Sequence, residues 1–234
     1  MERTRIKICG ITRVEDALAA ARAGADAIGL LFHPPAQRNL SVQRAEQIVG
    51  ALPPFVTPVG LFVDAPAEQV REVGRRLRLR HVQLHGDEPP ERVAELAEWC
   101  VVKAVRVERD RFGEDLAAWR EAIKRLKLRN LSGLVLETAG TGKAGAPAGG
   151  TGAANDWETV LRHLRRGDFI GLPPIIAAGG LRPETVGAVV RDLRPWAVDV
   201  SSGVEESPGQ KSPQKIAAFV AAVRQADRDS RPKE

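Results

Sequence analysis

Eight short apolar runs, each followed by a longer helix-forming segment, constrain the fold of this chain more than any other feature of its sequence. The runs read as strands over Ile6–Cys9, Ala27–Phe32, Pro58–Val63, His81–Leu84, Val101–Val107, Gly133–Glu137, Ile175–Ala178 and Ala197–Val200. The segments between and after them read as helices over Val14–Ala23, Ser41–Ala51, Ala65–Leu77, Pro90–Trp99, Glu114–Leu128, Trp157 to about Arg165, Pro183–Val190 and Pro213–Ala226. Thr12 precedes the first helix as its cap. A strand that is apolar along its length is covered on both faces, as in a parallel sheet flanked by helices. Eight such units in 234 residues, with no break in composition, predict a single α/β domain in the form of a (β/α)8 TIM barrel. An open doubly wound sheet is the rival. Eight units suit closure better, and no GxGxxG follows the first strand.

Composition narrows the function classes. Hydrophobic residues make up 43% of the chain but aromatic residues only 4%, with no Tyr. The core therefore rests on Val, Leu, Ile and Ala, which suits a barrel interior. The formal net charge is +5, yet the basic residues are interspersed with acidic ones, as in Arg71, Glu72, Arg75 and Arg76. No polybasic run is interleaved with aromatics, so a nucleic-acid partner is not expected, whereas an anionic small substrate is compatible. The two cysteines, Cys9 and Cys100, form no disulfide framework and suit a reducing compartment. The first residues lead straight into an apolar strand without a signal-peptide core, and no apolar stretch nears the roughly 20 residues that span a bilayer. The expectation is a cytoplasmic protein with no membrane partner, monomeric or homodimeric. Thr138–Asn155 is rich in Gly, Ala and Thr without periodicity, and loops of that length are usually functional or mobile. The charged tail Arg224–Glu234 is expected to fray.

In a barrel the loops after the strands form the active face. Cys9 ends the first strand, Gln83 and His85 lie at the end of the fourth, and Glu137 ends the sixth. Gly179-Gly180 follow the seventh and Ser201-Ser202-Gly203 the eighth. Barrels often hold a phosphate between these last two loops, where glycines let the backbone approach an anion. Cys9 is either an inert apolar residue or, in a positive environment, a thiolate base or nucleophile. Lys7 is either a charge partner or interior packing. Partial burial of Glu137 is expected to raise its pKa and make it a usable general acid; the bland alternative is a solvated carboxylate at the loop mouth. Arg38, in the loop after the second strand, is either a surface residue or a bidentate clamp for a carboxylate. His85 is a base, a metal ligand or a hydrogen-bonding residue. The histidines are dispersed and no His/Cys/Asp set has ligand spacing, so no metal site is expected.

The chain resembles the phosphoribosylanthranilate isomerase family of tryptophan biosynthesis. The resemblance is carried by KICGITRVEDALAAARAGADAIGLLF at 7–32, VGLFVD at 59–64, VQLHGDE at 82–88, AAGGLRPETV around Gly179-Gly180, and AVDVSSGVEESPGQKS at 197–212. It implies a cofactor-free Amadori rearrangement of a phosphorylated aminoaldose. In that reading Cys9 is the general base at ribose C2 and Glu137 the general acid at the ring oxygen. Arg38 meets the anthranilate carboxylate, and Gln83 and His85 line the pocket. Gly179, Gly180, Ser201, Ser202 and Gly203 bind the phosphate. One departure stands out: the family usually has Asp where this chain has Glu137. The Gly-Gly-Thr-Gly at 149–152 and Asp156-Trp157 match the family again, so the chain carries an insertion between Glu137 and that point. Two other readings remain open: a different phosphate-binding barrel of tryptophan or histidine synthesis, and a phosphosugar-binding barrel without an effective acid.

Overall fold

The computed structural model describes residues 3–138 and 156–230. Its strands are β1 (Arg5–Ile8), β2 (Ala27–Leu31), β3 (Thr57–Phe62), β4 (His81–Leu84), β5 (Cys100–Val107), β6 (Leu131–Thr138), β7 (Ile175–Ala178) and β8 (Ala197–Val200). Each pairs in parallel with its sequence neighbour, and β8 returns to pair with β1, closing the barrel. Helices α1 (Val14–Ala23), α2 (Val42–Ala51), α3 (Ala67–Arg76), α4 (Pro90–Glu95), α5 (Phe112–Leu126), α6 (Trp157–Arg165), α7 (Pro183–Leu193) and α8 (Pro213–Asp229) follow the strands in turn.

The apolar strands serve two layers. Outward-facing residues such as Ile6, Ile8, Leu134 and Leu136 join the main core, which packs against the helices. Burying a side chain of this size contributes roughly 1.5–3 kcal/mol. Inward-facing Ala104, Val135 and Ala178, with Val102 and Ile176 against them, plug the barrel. Because side chains alternate along a strand, Glu137, two residues beyond Val135, continues the inward row at the C-terminal end. The same step of two takes Lys7 to Cys9, Gln83 to His85, Ala178 to Gly180 and Asp199 to Ser201. The plug thus puts the polar candidates in one layer above it.

Three local expectations are corrected, and one pair of short elements is new. Helix α4 stops at Glu95 rather than Trp99; Trp99 turns inward and its Nε1 donates to the Leu79 carbonyl at 3.0 Å. Thr12 does not cap α1: Arg13 occupies the cap position, and the Thr12 hydroxyl donates to the Gly209 carbonyl. Before α8 the chain forms a 3-10 turn at Ser202–Val204 and a small hairpin of β9 (Glu205–Ser207) and β10 (Gln210–Lys211), elements too short to show periodicity. The tail expected to fray is helical to Asp229. Arg224 Nη1 donates to the Thr4 carbonyl at 2.6 Å, and Thr4 Oγ1 donates to Asp227 at 2.7 Å, so the last helix is tied to the first strand. The rest of the Gly/Ala-rich stretch after Thr138, residues 139–155, and the last four residues lie outside the described residues.

Candidate active site

Nine of the ten residues singled out from sequence line one pocket of about 780 Å³, open mouth included, at the C-terminal end of the barrel: Cys9, Arg38, His85, Glu137, Gly179, Gly180, Ser201, Ser202 and Gly203. Gln83 is the exception. It is buried one layer deeper and does not line the pocket.

Cys9 sits where β1 gives way to the following loop, its amide donating to the Val200 carbonyl at 2.7 Å. A Cβ on Gly29 would lie 2.7 Å from its sulfur, so the neighbouring strand leaves room for the thiol only because position 29 is glycine. One layer below, Lys7 Nζ donates to Asp199 Oδ2 at 2.7 Å, and both side chains are buried. These two are register partners across the β1–β8 seam. Burial pushes the Cys9 thiol above its ordinary pKa, and Asp199 adds to this; the ammonium groups of Lys7 and Lys211 oppose it without prevailing. Asp199 also lines the pocket, and its buried Oδ1 has no hydrogen-bond partner among the described residues.

Glu137 is on the other side of the pocket, at the end of β6. Its Oε2 lies 3.0 Å from His85 Nε2, and Gln83 Nε2 lies 2.8 Å from His85 Nδ1. With the Gln83 amide in this orientation its nitrogen donates to Nδ1, which places the ring proton on Nε2, aimed at the carboxylate. The expectation of a raised Glu137 pKa is overturned. Burial does push it up, but the His85 hydrogen bond and the cations of Arg106 and Lys103 outweigh burial and hold the carboxyl below its ordinary value. Arg106 is the register partner of Glu137 on β5.

The loops after β7 and β8 meet at the rim. Gly179 and Gly180 turn the chain with φ of 88° and 58°. A Cβ at Gly203 would lie 1.9 Å from the Leu181 carbonyl oxygen, so only glycine lets the two loops touch. Arg38 reaches over the mouth, but its fork is engaged: Nε and Nη2 donate to Glu205 Oε1 and Oε2 at 2.7 and 2.6 Å. Lys211 Nζ, fully buried, donates to the same Glu205 at 2.8 Å and to the Ser201 carbonyl at 3.1 Å. Sequence reasoning missed Glu205 and Lys211. Both lie in the quoted 197–212 stretch, but nothing in its local pattern marks them as buried.

The two sides are chemically complementary. A thiol and a carboxyl face one space, and a substrate held between them can lose a proton to one and gain a proton from the other.

Comparison with known proteins agrees. The family described as PRAI, N-(5'-phosphoribosyl)anthranilate isomerase, matches residues 6–222. A curated N-(5'-phosphoribosyl)anthranilate isomerase of Pseudomonas fluorescens Pf-5 is 46% identical over 227 residues, covering 97% of this chain and 99% of the relative. The crystal structure of the Thermotoga maritima phosphoribosylanthranilate isomerase superposes with a TM-score of 0.80 at 37% identity, over 95% of this chain and 99% of that one. A crystal structure of the isomerase in complex with reduced 1-(o-carboxyphenylamino)-1-deoxyribulose 5-phosphate superposes with a TM-score of 0.78 at 36% identity, over 95% and 99% of the two chains. With the family matched from the first strand into the last helix, and relatives covered almost end to end, this chain belongs to the N-(5'-phosphoribosyl)anthranilate isomerase family.

Proposed function

We propose that Cys9 and Glu137 are the base and acid of the reaction that defines this family, the Amadori rearrangement of N-(5'-phosphoribosyl)anthranilate to 1-(2-carboxyphenylamino)-1-deoxyribulose 5-phosphate in tryptophan biosynthesis. The observation that carries the reading is that the two groups share one pocket with the loops after β7 and β8 at its rim. Glu137, protonated, gives its proton to the ring oxygen; the C1–O bond breaks and the anilino nitrogen supplies the electrons, leaving a protonated Schiff base. Cys9, as thiolate, takes the proton from C2, and the C–H electrons form the C1–C2 double bond of an enolamine. The iminium electrons return to the nitrogen; a proton then adds at C1 while the C2 hydroxyl gives up its own, and the ketone results. Carbon 1 is reduced and carbon 2 oxidised, so the step needs no external electron carrier. The substrate phosphate lies between the Gly179-Gly180 and Ser201-Ser202-Gly203 loops, and the anthranilate carboxylate meets Arg38. His85, held by Gln83, orients Glu137. The buried Oδ1 of Asp199 suits a sugar hydroxyl.

As folded, the thiol is held protonated and the carboxyl ionised at neutral pH. The reactive form is the reverse arrangement of the same single proton, so the singly protonated pair is the working state. Loss of anthranilate fluorescence on adding the purified protein to substrate is the direct test. Measured across pH, kcat/KM is expected to be flat around neutrality. Its acid limb lies below the ordinary carboxylate range, where Glu137 takes up a second proton for the pair. Its alkaline limb lies above the ordinary thiol range, where the last proton leaves. A limb at neutral pH would assign the proton transfer to another group.

The phosphate site has its own test. Gly203→Ala forces the two loops apart, because backbone rather than a flexible side chain blocks the new methyl. Inhibition by inorganic phosphate is expected to weaken about tenfold or more, in line with losing one hydrogen bond to a charged group, about 1.5–3 kcal/mol. Undiminished phosphate inhibition removes these loops from the binding site.

We place the chain in the cytoplasm, a reading supported by its two free cysteines. Among the described residues, no helix is long and apolar enough to cross a membrane. For assembly, both monomer and homodimer fit the site: fully exposed Phe55 and largely exposed Ile170 sit in loops that precede β3 and β7, at the barrel end away from the pocket. Sedimentation of the purified protein decides between them.

A further inference from the structure

We infer that Glu205 is the positioning residue that makes Arg38 selective for a substrate bearing a ring carboxylate. The inference rests on the reading of Arg38 given above and adds what holds it in place. Arg38 belongs to the loop between β2 and α2, whose backbone is held by turn hydrogen bonds and a single bridge from Asn39 to Leu31 and which offers the long side chain no regular element to pack along. A long side chain there has considerable rotamer freedom to lose on binding. Glu205 removes that freedom beforehand. Its two oxygens take Nε and Nη2 at 2.7 and 2.6 Å, a side-on fork.

The carboxylate itself is rigidly mounted. It starts the β9–β10 hairpin, accepts Lys211 Nζ at 2.8 Å and the Gly209 amide at 3.3 Å, and its backbone carbonyl accepts Lys215 Nζ at 2.7 Å. The hairpin is tied in turn to the β1–α1 loop through the Thr12 hydroxyl. The guanidinium has five N–H groups, and the fork consumes two of them. Of the three that remain, two, one on Nη1 and one on Nη2, form the end-on edge, which has no partner among the described residues and can receive a second carboxylate. Charge favours that event: Arg38, Glu205 and Lys211 together carry one net positive charge beside the pocket. Glu205 is therefore a fixed strut rather than a competitor. An apolar residue in its place would leave Arg38 mobile and Lys211 buried without its carboxylate.

The test compares kcat/KM for N-(5'-phosphoribosyl)anthranilate with that for N-(5'-phosphoribosyl)aniline, which lacks the ring carboxylate. The preference is measured in the parent protein, Arg38→Met, Glu205→Gln, Glu205→Asp and the Arg38→Met/Glu205→Gln double variant. Arg38→Met and Glu205→Gln are each expected to lower the preference about tenfold, with the loss in KM for the carboxylated substrate, and the double variant to fall no further than Arg38→Met. Glu205→Asp keeps a counter-charge for Lys211 but is too short for the fork, so it is expected to lose preference while retaining its thermal stability. It also stands in if Glu205→Gln does not fold. A preference that survives both Glu205 substitutions but falls in Arg38→Met overturns the role of Glu205 alone. A preference that survives Arg38→Met overturns the carboxylate reading of Arg38, and the strut with it. Equal losses on both substrates in Glu205→Asp reduce Glu205 to a structural residue.

Discussion

Cys9→Ser is expected to lower kcat by about a thousandfold or more, in line with the loss of a general base, while the reduced product analogue still binds. A serine hydroxyl fits the space that Gly29 leaves for the sulfur, so the substitution tests chemistry rather than packing. Its proton is far harder to remove than a thiol's, and the cations that favour a thiolate, Lys7 and Lys211, are already engaged with Asp199 and Glu205. They cannot make up the difference. Alkylation gives a second readout. In a Cys100→Ser background, iodoacetamide should label Cys9 with a midpoint above the ordinary thiol range, because burial outweighs both lysines. Product analogue should protect it. A Cys9→Ser protein that keeps a tenth of its activity would remove Cys9 from the base role, whatever its reactivity.

The barrel could be read from sequence because its signal is local and repeated. Strands such as Leu134–Leu136 are apolar on both faces, and each is followed by a helix of ordinary length. The residues lining the pocket were also accessible, since the end of a strand in a barrel is a position on the active face. What escaped depends on closure. Lys7 and Asp199 are 192 residues apart and meet only because β8 returns to β1. Arg38 and Glu205 are 167 residues apart, and Glu205 is placed by a hairpin of two- and three-residue strands that leave no periodic trace. The resemblance implies that Gln83 lines the pocket with His85. The step of two between them puts both on the inward face, but it also puts Gln83 below His85, where it can only hold the ring.

Strand register, equally invisible in the local pattern, explains why the acidity of Glu137 runs opposite to the expectation. Its burial was legible in Leu134-Val135-Leu136; its partners were not. His85 comes from β4, and Arg106 and Lys103 come from β5, and together they turn a buried carboxyl that should resist ionisation into one that ionises readily. The acid is strong for its surroundings. Its usefulness then depends on how accurately it is aimed, and His85 supplies the aim.

Glu137→Asp measures that accuracy. The resemblance implies Asp at this position, which taken alone predicts a gain. The geometry predicts a loss. Glu137 reaches His85 Nε2 at 3.0 Å. Removing one methylene withdraws the carboxyl by about 1.3–1.5 Å on ordinary bond lengths, beyond hydrogen-bond reach unless the strand moves. The carboxyl then loses both its anchor and the hydrogen bond that lowers its pKa. We expect kcat to fall about 10- to 100-fold in Glu137→Asp, the penalty of a misplaced acid, and about a thousandfold or more in Glu137→Gln, which has no acid at all. The acid limb of the pH profile should move upward in Glu137→Asp, because the group that remains is no longer held ionised by His85. Removing His85 as well, in His85→Asn/Glu137→Asp, should cost little more than Glu137→Asp alone, since the contact is already broken. A rise in kcat for Glu137→Asp would mean that the His85 contact restrains the acid instead of aiming it, and that this barrel works in spite of its glutamate.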